Sequence, residues 1–475
     1  MSMSRRARER QEQLWVPTTS LPTVPGNPFY TKLNELLREA DFDAKVEALC
    51  EPFYSTGRGR PSIPPGVYMR MLMVGYFEGI DSERGIAWRC ADSLSLKKFL
   101  GYRLEEATPD HSSLSRIRTR LDLETHQAAF DLVLTVVAKK GLLKGKTLGV
   151  DSSTMEANAA LRSIVRRDDG RAYDEFLTDL AKESGIETPT REDLAKVDRK
   201  RPKKGSNADW TSPVDPEARI TRMKDGSTHL AHAVEHAVDL ETGAIVGATI
   251  QDAVVGDTTT IYDTLTRAFG ALITVISEPA TAEALSNDAG KEVVADKGYH
   301  SNDTMETLAG AGCKSYISEP NRGKRNWKGK EEARDATRSN GKRIARPKGK
   351  GLMRKRGELI ERSFAHALES GAMRRAHLRG QENIMKRYHL QVAAFNLGLV
   401  LRSTIGAGTP KGLAALAEGA LGAVTRSIGR LIAALAAISR PLDQLQGRIA
   451  WLQPMPTPAP PRPAAGSNSP FSTAC

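Results

Sequence analysis

The sequence predicts a mixed α/β core preceded by an all-helical region, and three observations carry that expectation. Apolar residues recur at helical spacing from about Phe29 to Lys140. The period changes at Lys146, where Lys146-Thr-Leu-Gly-Val-Asp151 reads as a short buried strand ending on a carboxylate. A β-rich hairpin, a helix and further strands then follow, the element order of a mixed α/β layer.

In the helical region, residues 29–140, Leu33, Leu36 and Leu37 repeat at helical spacing, as do Met69, Leu72, Met73 and Tyr76. Pro61, Pro64, Pro65 and Gly66 open one helix, and Gly79 and Gly101 sit near the ends of others. Within Asp110-His-Ser-Ser-Leu-Ser-Arg-Ile-Arg-Thr-Arg120, Ser112 or Ser113 can cap a helix. Arg116 and Arg120 then lie one turn apart on its surface, with Arg118 to one side. Short helices, tight turns and one arginine-studded helix suit a small DNA-binding module. A helical domain with a merely basic surface is the alternative. Residues 1–28 form a basic arm ahead of it.

In the core, residues 141–404, His229 to Val238 and Ala244 to Ile250 are β-rich runs joined by a turn at Asp239-Leu-Glu-Thr-Gly243. Asp257-Thr-Thr-Thr caps a helix through about Phe269. Glu292-Val-Val-Ala-Asp296 is a second strand ending on a carboxylate, and Cys313 to Ser318 a third run. Glu358 to Glu369 and Gln381 to Arg402 read as helices. Two insertions, about 154–228 and 320–357, interrupt this core. The first is polar, with helical stretches at Tyr173 to Ser184 and Arg191 to Lys200. Residues 405–450 form a helical segment, Ala- and Leu-rich from Lys411 to Ile438, and 451–475 a Pro-rich disordered tail.

The formal net charge of +12 is concentrated. Residues 322–356 hold 15 Lys and Arg against Glu331, Glu332 and Asp335, so this stretch accounts for nearly all of the excess. Such a segment points to a polyanion, nucleic acid being the commonest, with a solvated charged loop as the bland alternative. Other classes are disfavoured. No apolar run reaches the roughly 18–20 residues of a membrane span, and Gln11, Glu12 and Gln13 stand where a signal peptide is apolar. Cys50, Cys90, Cys313 and Cys475 form no Cys-x-x-Cys, which excludes a zinc ribbon and fits a reducing cytoplasm. No Gly-rich phosphate loop with Lys and Ser is present, so no nucleotide cofactor is expected. His229, His232 and His236 fit structural positions on a strand better than a zinc site. His366 is expected half-buried, and Trp327 to anchor a loop.

Cutting or joining a phosphodiester needs an activated oxygen nucleophile and a stabilised leaving oxygen, which two divalent ions supply between a few carboxylates. Asp suits a rigid strand end and Glu reaches the same point from a helix. Asp151, Asp296 and Glu361 fit those positions. Around them stand Val150-Asp-Ser-Ser-Thr-Met-Glu-Ala-Asn-Ala159, Val294-Ala-Asp-Lys-Gly-Tyr-His-Ser301 and Glu361-Arg-Ser-Phe-Ala365. These blocks resemble the three catalytic blocks of bacterial insertion-sequence DDE transposases. The resemblance extends to Gly59-Arg-Pro-Ser-Ile-Pro-Pro65, Gly75-Tyr-Phe-Glu-Gly79, Pro109-Asp-His-Ser112 and His236 to Gly243, over roughly residues 10–405.

The resemblance implies a ribonuclease-H-like catalytic core with Asp151 and Asp296 on adjacent strands and Glu361 on a later helix. It implies two Mg2+ ions, or Mn2+, held by those three residues. It further implies DNA as partner, both terminal inverted repeats and target, a homodimer in a synaptic complex, and cut-and-transfer chemistry in the cytoplasm at the nucleoid. Lys297, His300, Arg322, Lys324, Arg325, Arg354, Arg356, Arg374 and Arg375, with Arg116, Arg118 and Arg120, are the expected DNA contacts. Many relatives carry a Tyr and an Arg before the Glu and a Lys seven residues after it; here Leu368 stands at the Lys position and no Tyr closely precedes Glu361. Two rival readings are a nuclease that cuts without integrating and a DNA-binding regulator with a vestigial acidic site.

Overall fold

A computed structural model describes residues 26–55, 62–201, 205–223, 226–323 and 325–452. Most of the expected basic arm, the Pro-rich tail and Lys324 lie outside the described residues. The chain divides into two compact units at Leu413/Ala414.

Among the described residues, seven α-helices lead the first unit: α1 (Pro28–Glu39), α2 (Phe42–Cys50), α3 (Pro65–Glu78), α4 (Glu83–Ala91), α5 (Leu94–Phe99), α6 (His111–Arg120) and α7 (Leu123–Lys139). In α1, Phe29, Leu33, Leu36 and Leu37 form the buried stripe that their spacing predicts. The centre of the group is α3, buried on all sides. It opens at Pro65, where a missing N–H costs nothing, and stops at Gly79, whose φ of 67° suits glycine. Its one buried cation, Arg70, is answered by both carboxylate oxygens of Asp43 at 2.9 and 2.7 Å. The cap of α6 differs from expectation: Asp110 accepts from the Ser113 N–H at 2.8 Å, its carboxylate outcompeting the serine hydroxyls.

The strands follow in the order β1 (Thr147–Glu156), β2 (Val165–Arg166), β3 (Trp210–Thr211), β4 (Arg219–Arg222), β5 (Thr228–Asp239), β6 (Ile245–Asp252), β7 (Glu292–Ala295) and β8 (Lys314–Ile317). The main sheet runs β4-β5-β1-β7-β8, with β6 also paired to β5. β1, β7 and β8 are parallel, and β5 is antiparallel to its neighbours. Within the first insertion, α8 (Tyr173–Glu183) and α9 (Arg191–Lys200) accompany the two-stranded β2–β3 ribbon. Its last piece, β4, is an extra edge strand of the main sheet, so the insertion is not wholly separate. β1 also runs five residues beyond Asp151. Ser152 to Glu156 read as polar, yet each pairs with β5 in unbroken register.

Helices α10 (Asp257–Ser277), α11 (Asn302–Gly310), α12 (Glu331–Ala345), α13 (Pro347–Phe364) and α14 (Gln381–Ile405) complete the unit. The basic segment is therefore largely helical: from Glu331 onward it forms α12 and the first half of α13. Its small buried positions, Ala333, Thr337 and Asn340, follow a helical period hidden by the charges around them. Asn340 fixes the helix by bonding both the N–H and the C=O of Ile317 at 3.0 and 2.7 Å. A π-helical turn, Ala365–Ser370, follows α13.

α14 joins the helical region to the sheet. It is buried through most of its length and packs on α3, α7 and β6. At the sheet edge Asn396 bonds the N–H and C=O of Ile245 at 2.9 and 2.8 Å. Gln381–Leu431 contains a window long and apolar enough for a membrane span, contrary to the expectation of none, but 67% of that window is buried as in a core helix. The second unit holds most of α15 (Pro410–Leu452).

Candidate active site

The sheet carries α13 on one face and α10 on the other, and the carboxylates divide between these faces at one strand end. In β1 and β7, Val150 pairs with Ala295, so Asp151 and Asp296 come next on neighbouring parallel strands. Alternation turns Asp151 to the same face as Gly149, the face that α13 covers. The fit there is close: a Cβ on Gly149 would lie 3.0 Å from the Ile360 Cδ1. Three residues on, the Ser363 hydroxyl donates to the Ile360 carbonyl at 2.8 Å and accepts from His236 Nδ1 at 2.8 Å. His236 Nε2 then accepts from the Tyr388 hydroxyl at 2.7 Å. The imidazole stacks on Phe364 at 4.2 Å, and burial pulls its pKa down to about 3, so it stays neutral. His236 stands opposite Asp151 in the strand register. A neutral, fully bonded histidine thus fastens α13 beside the first carboxylate.

From that helix Arg356 reaches down to the pair. Its Nη1 lies 2.8 Å from Asp151 Oδ2 and its Nη2 3.7 Å from Asp296 Oδ1. Its side chain is only 13% exposed. Glu361, five residues further along α13, is exposed. The structure therefore brings Asp151 and Asp296 together through a shared cation and leaves Glu361 outside that contact. Among the described residues no three His, Cys, Asp or Glu side chains converge as a ready-made metal site. The two aspartates nonetheless fit a cation, because the Arg356 guanidinium stands in for one between them.

The opposite face holds carboxylates that sequence reasoning missed. Asp257, expected as a helix cap, is the first residue of α10 itself, with Gly256 at the cap. Its Oδ1 accepts from the Ser152 hydroxyl at 3.2 Å. Burial raises its pKa, and the nearby Asp296 charge adds to the rise. Glu235, paired with Ser152 across the sheet, accepts from the hydroxyls of Thr260 at 2.9 Å and Tyr299 at 2.7 Å. Its other oxygen is buried with no hydrogen-bond partner among the described residues. Burial pushes its pKa up to about 7, held back by the hydroxyls of Thr264, Tyr299 and Thr260. The hint in the sequence was a carboxylate inside an apolar strand, Ala-Val-Glu-His-Ala-Val.

The expected DNA contacts separate in the same way. Arg116, Arg120, Lys297, Arg322, Arg354 and Arg375 are exposed. Arg118 is not: it is 8% exposed and bound to Glu83, because its helix face packs inward. Arg325 is held by Glu319 at 2.7 Å and Asn302 at 2.9 Å, and lies 4.5 Å over the Trp327 ring. His300 is fully buried, so its ring is not exposed to a phosphate, and its carbonyl accepts from Arg322 at 2.6 Å. Arg374 is half-buried, bound to Glu369 at 2.8 Å and to the Thr154 carbonyl at 2.8 Å. Leu368 is fully buried, so a core contact replaces the Lys many relatives carry there. Of the strand histidines, His232 contacts buried Asp215 at 3.2 Å and His229 lies 3.5 Å from Glu156, which leaves no shared metal position. His366 is half-buried, as expected.

Two family models match the chain. One is described as Transposase domain (DUF772) and covers residues 20–120; the other is described as Transposase DDE domain and covers 208–397. The second includes Asp296 and Glu361, while Asp151 precedes it. No curated protein and no solved structure matches the chain.

Proposed function

Because the chain belongs to the insertion-sequence DDE transposases, we propose that it binds the terminal inverted repeats of its element, cleaves the ends and transfers the 3′ hydroxyls to target DNA. The observation that carries this reading is the Asp151–Asp296 pair, set side by side on parallel strands around one cation position. The β6-β5-β1-β7-β8 strand order, with β5 antiparallel, supports a ribonuclease-H-like core. Asp151 and Asp296 hold the divalent ions, two Mg2+ or Mn2+, and Glu361 completes the set from α13. Bound there, the ions activate a water or hydroxyl nucleophile and stabilise the leaving oxygen. Lys297, directly after Asp296, and Arg354, both exposed, take backbone phosphates, and Arg116 and Arg120 on α6 take the flanking duplex.

A second copy of the chain completes the synaptic complex in this reading. On α15, Leu421, Val424, Ile428 and Leu431 are each more than half exposed and recur at alternating three- and four-residue steps, the spacing of a coiled-coil seam. Ile428→Glu is expected to turn a dimer into a monomer in light scattering; an unchanged mass would place the interface elsewhere.

The central experiment is cleavage of a labelled duplex carrying the element's own ends, in Mg2+, by the wild type and by Asp151→Ala, Asp296→Ala and Glu361→Ala. Nicking at the ends, lost in all three, supports the reading. DNA binding without cutting in Mg2+ or Mn2+ favours the regulator. Cutting without joining of pre-cut ends favours the nuclease.

A further inference from the structure

We propose that Arg356 is the resident counter-cation of the Asp151–Asp296 pair and that DNA phosphate draws it away, so that metal and DNA load together. The inference rests on the reading of that pair as a metal site.

Three features of Arg356 point this way. First, its guanidinium occupies the cation position itself, bridging one oxygen of each aspartate at 2.8 and 3.7 Å. An arginine does not shed its charge. A divalent ion arriving between the same carboxylates therefore meets a fixed positive charge at contact distance, and one of the two must leave. Second, the backbone that carries Arg356 is fixed while the guanidinium is not. Ile360 against Gly149 and Ser363 against His236 pin α13 to the sheet. The Arg356 Nε is buried with no hydrogen-bond partner, so among the described residues its polar contacts are those of Nη1 and Nη2 with the two carboxylates. Rotation about its own bonds releases it without moving the helix. Third, a released guanidinium needs another anion, and a phosphate diester offers the bidentate partner that it prefers. Exposed Lys297, directly after Asp296, offers such a phosphate a second positive charge beside the pair.

The consequence is a linkage. Metal and guanidinium compete for the aspartates, and DNA removes the competitor, so DNA raises metal affinity and metal raises DNA affinity by the same factor. Without DNA the guanidinium offsets one of the two carboxylate charges and ions bind the pair weakly. In the opposite arrangement, with Arg356 a permanent brace, DNA would leave metal affinity unchanged.

The test is Mn2+ binding to the full-length protein, read from the free-ion electron paramagnetic resonance signal, with and without a short duplex. Only binding that disappears in Asp151→Ala is counted, which removes ions condensed on the DNA. The wild type is expected to bind Mn2+ about tenfold more tightly with duplex, within the range usual for coupled sites. Arg356→Gln is expected to bind about tenfold more tightly than wild type without duplex and to lose the response to DNA. Arg356→Lys, which keeps the charge, is expected to retain the weak DNA-free binding. Circular dichroism checks that each variant is folded, and the wild-type comparison stands without any variant. Asp151-dependent binding that is equal with and without duplex, or unchanged in Arg356→Gln, overturns the counter-cation role while leaving the metal site intact. No Asp151-dependent binding under any condition overturns both.

Discussion

The two faces of the sheet where β7 ends beside β1 solve the same electrostatic problem differently. On the α13 face, Asp151 and Asp296 are answered by a full positive charge from Arg356. On the α10 face, Glu235 and Asp257 are met by hydroxyls, among them those of Thr260, Tyr299 and Ser152. A hydroxyl donor offsets part of the cost of burying a carboxylate but supplies no countercharge, so the pKa values on that face rise. One face holds its carboxylates with a cation, and on the other Glu235 is poised to hold a proton. Only side-chain alternation along β1 separates them, Asp151 pointing one way and Ser152 the other.

The largest effect that tests this contrast is on the cation face. Asp296→Asn keeps the shape of the side chain and removes its charge. Cleavage of element ends is expected to fall on the order of 10³-fold, because metal-assisted charge stabilisation is worth several kcal/mol. An effect below tenfold would mean that the two faces do not differ as described.

On the proton face the expected effect is on stability. Glu235 has a folded-state pKa of about 7 against an ordinary 4.5. Between those values the folded protein holds a proton that the unfolded chain has released. Its contribution is therefore complete below about pH 4.5 and is lost as pH rises through 7. Glu235→Gln has no proton to lose. The stability difference between variant and wild type is expected to grow in favour of Gln across that window, reaching on the order of 3 kcal/mol above pH 7. Melting both proteins from pH 4.5 to 8 measures it. A constant difference would show that Glu235 is ionised throughout.

Much of the cation face was legible in the sequence and much of the proton face was not, for a physical reason. Asp151 and Asp296 announce themselves because a short polar side chain closes an apolar run. Glu235 sits in a similar run, but its partners Thr260 and Tyr299 come from elements 25 and 64 residues away, which no local pattern shows. Arg356 was visible as one basic residue among many. Its partner, 205 residues distant, is what distinguishes it from Arg354 beside it. Composition also misled in the other direction. Charge in residues 322–356 obscured two helices, and Arg118 and His300 were assigned to DNA although the packing of their backbones turns both inward.

A smaller effect probes how closely α13 is tied to the first aspartate. At Gly149 an added Cβ would meet Leu240 Cδ2 at 2.6 Å and Ile360 Cδ1 at 3.0 Å, the far ends of two side chains. Gly149→Ala is therefore expected to be accommodated at about 1 kcal/mol, and Gly149→Val to cost roughly 1–3 kcal/mol by pushing the helix outward. Denaturant midpoints give both numbers. The same displacement should weaken Asp151-dependent Mn2+ binding in the valine variant more than in the alanine variant.

The smallest expected effect is at Asp257, and it bears hardest on the contrast between faces. Asp257→Asn retains an oxygen that can accept from Ser152 while removing a half-buried charge that Asp296 repels. Stability at pH 7 is thus expected to hold or rise by less than about 1 kcal/mol, with cleavage within a few-fold of wild type. That result keeps Asp257 on the proton face and leaves Glu361 as the third carboxylate. If Asp257→Asn instead abolishes cleavage while Glu361→Ala spares it, the cation site reaches through the strand end to the α10 face. The third ligand would then be the residue that opens α10 rather than the one on α13.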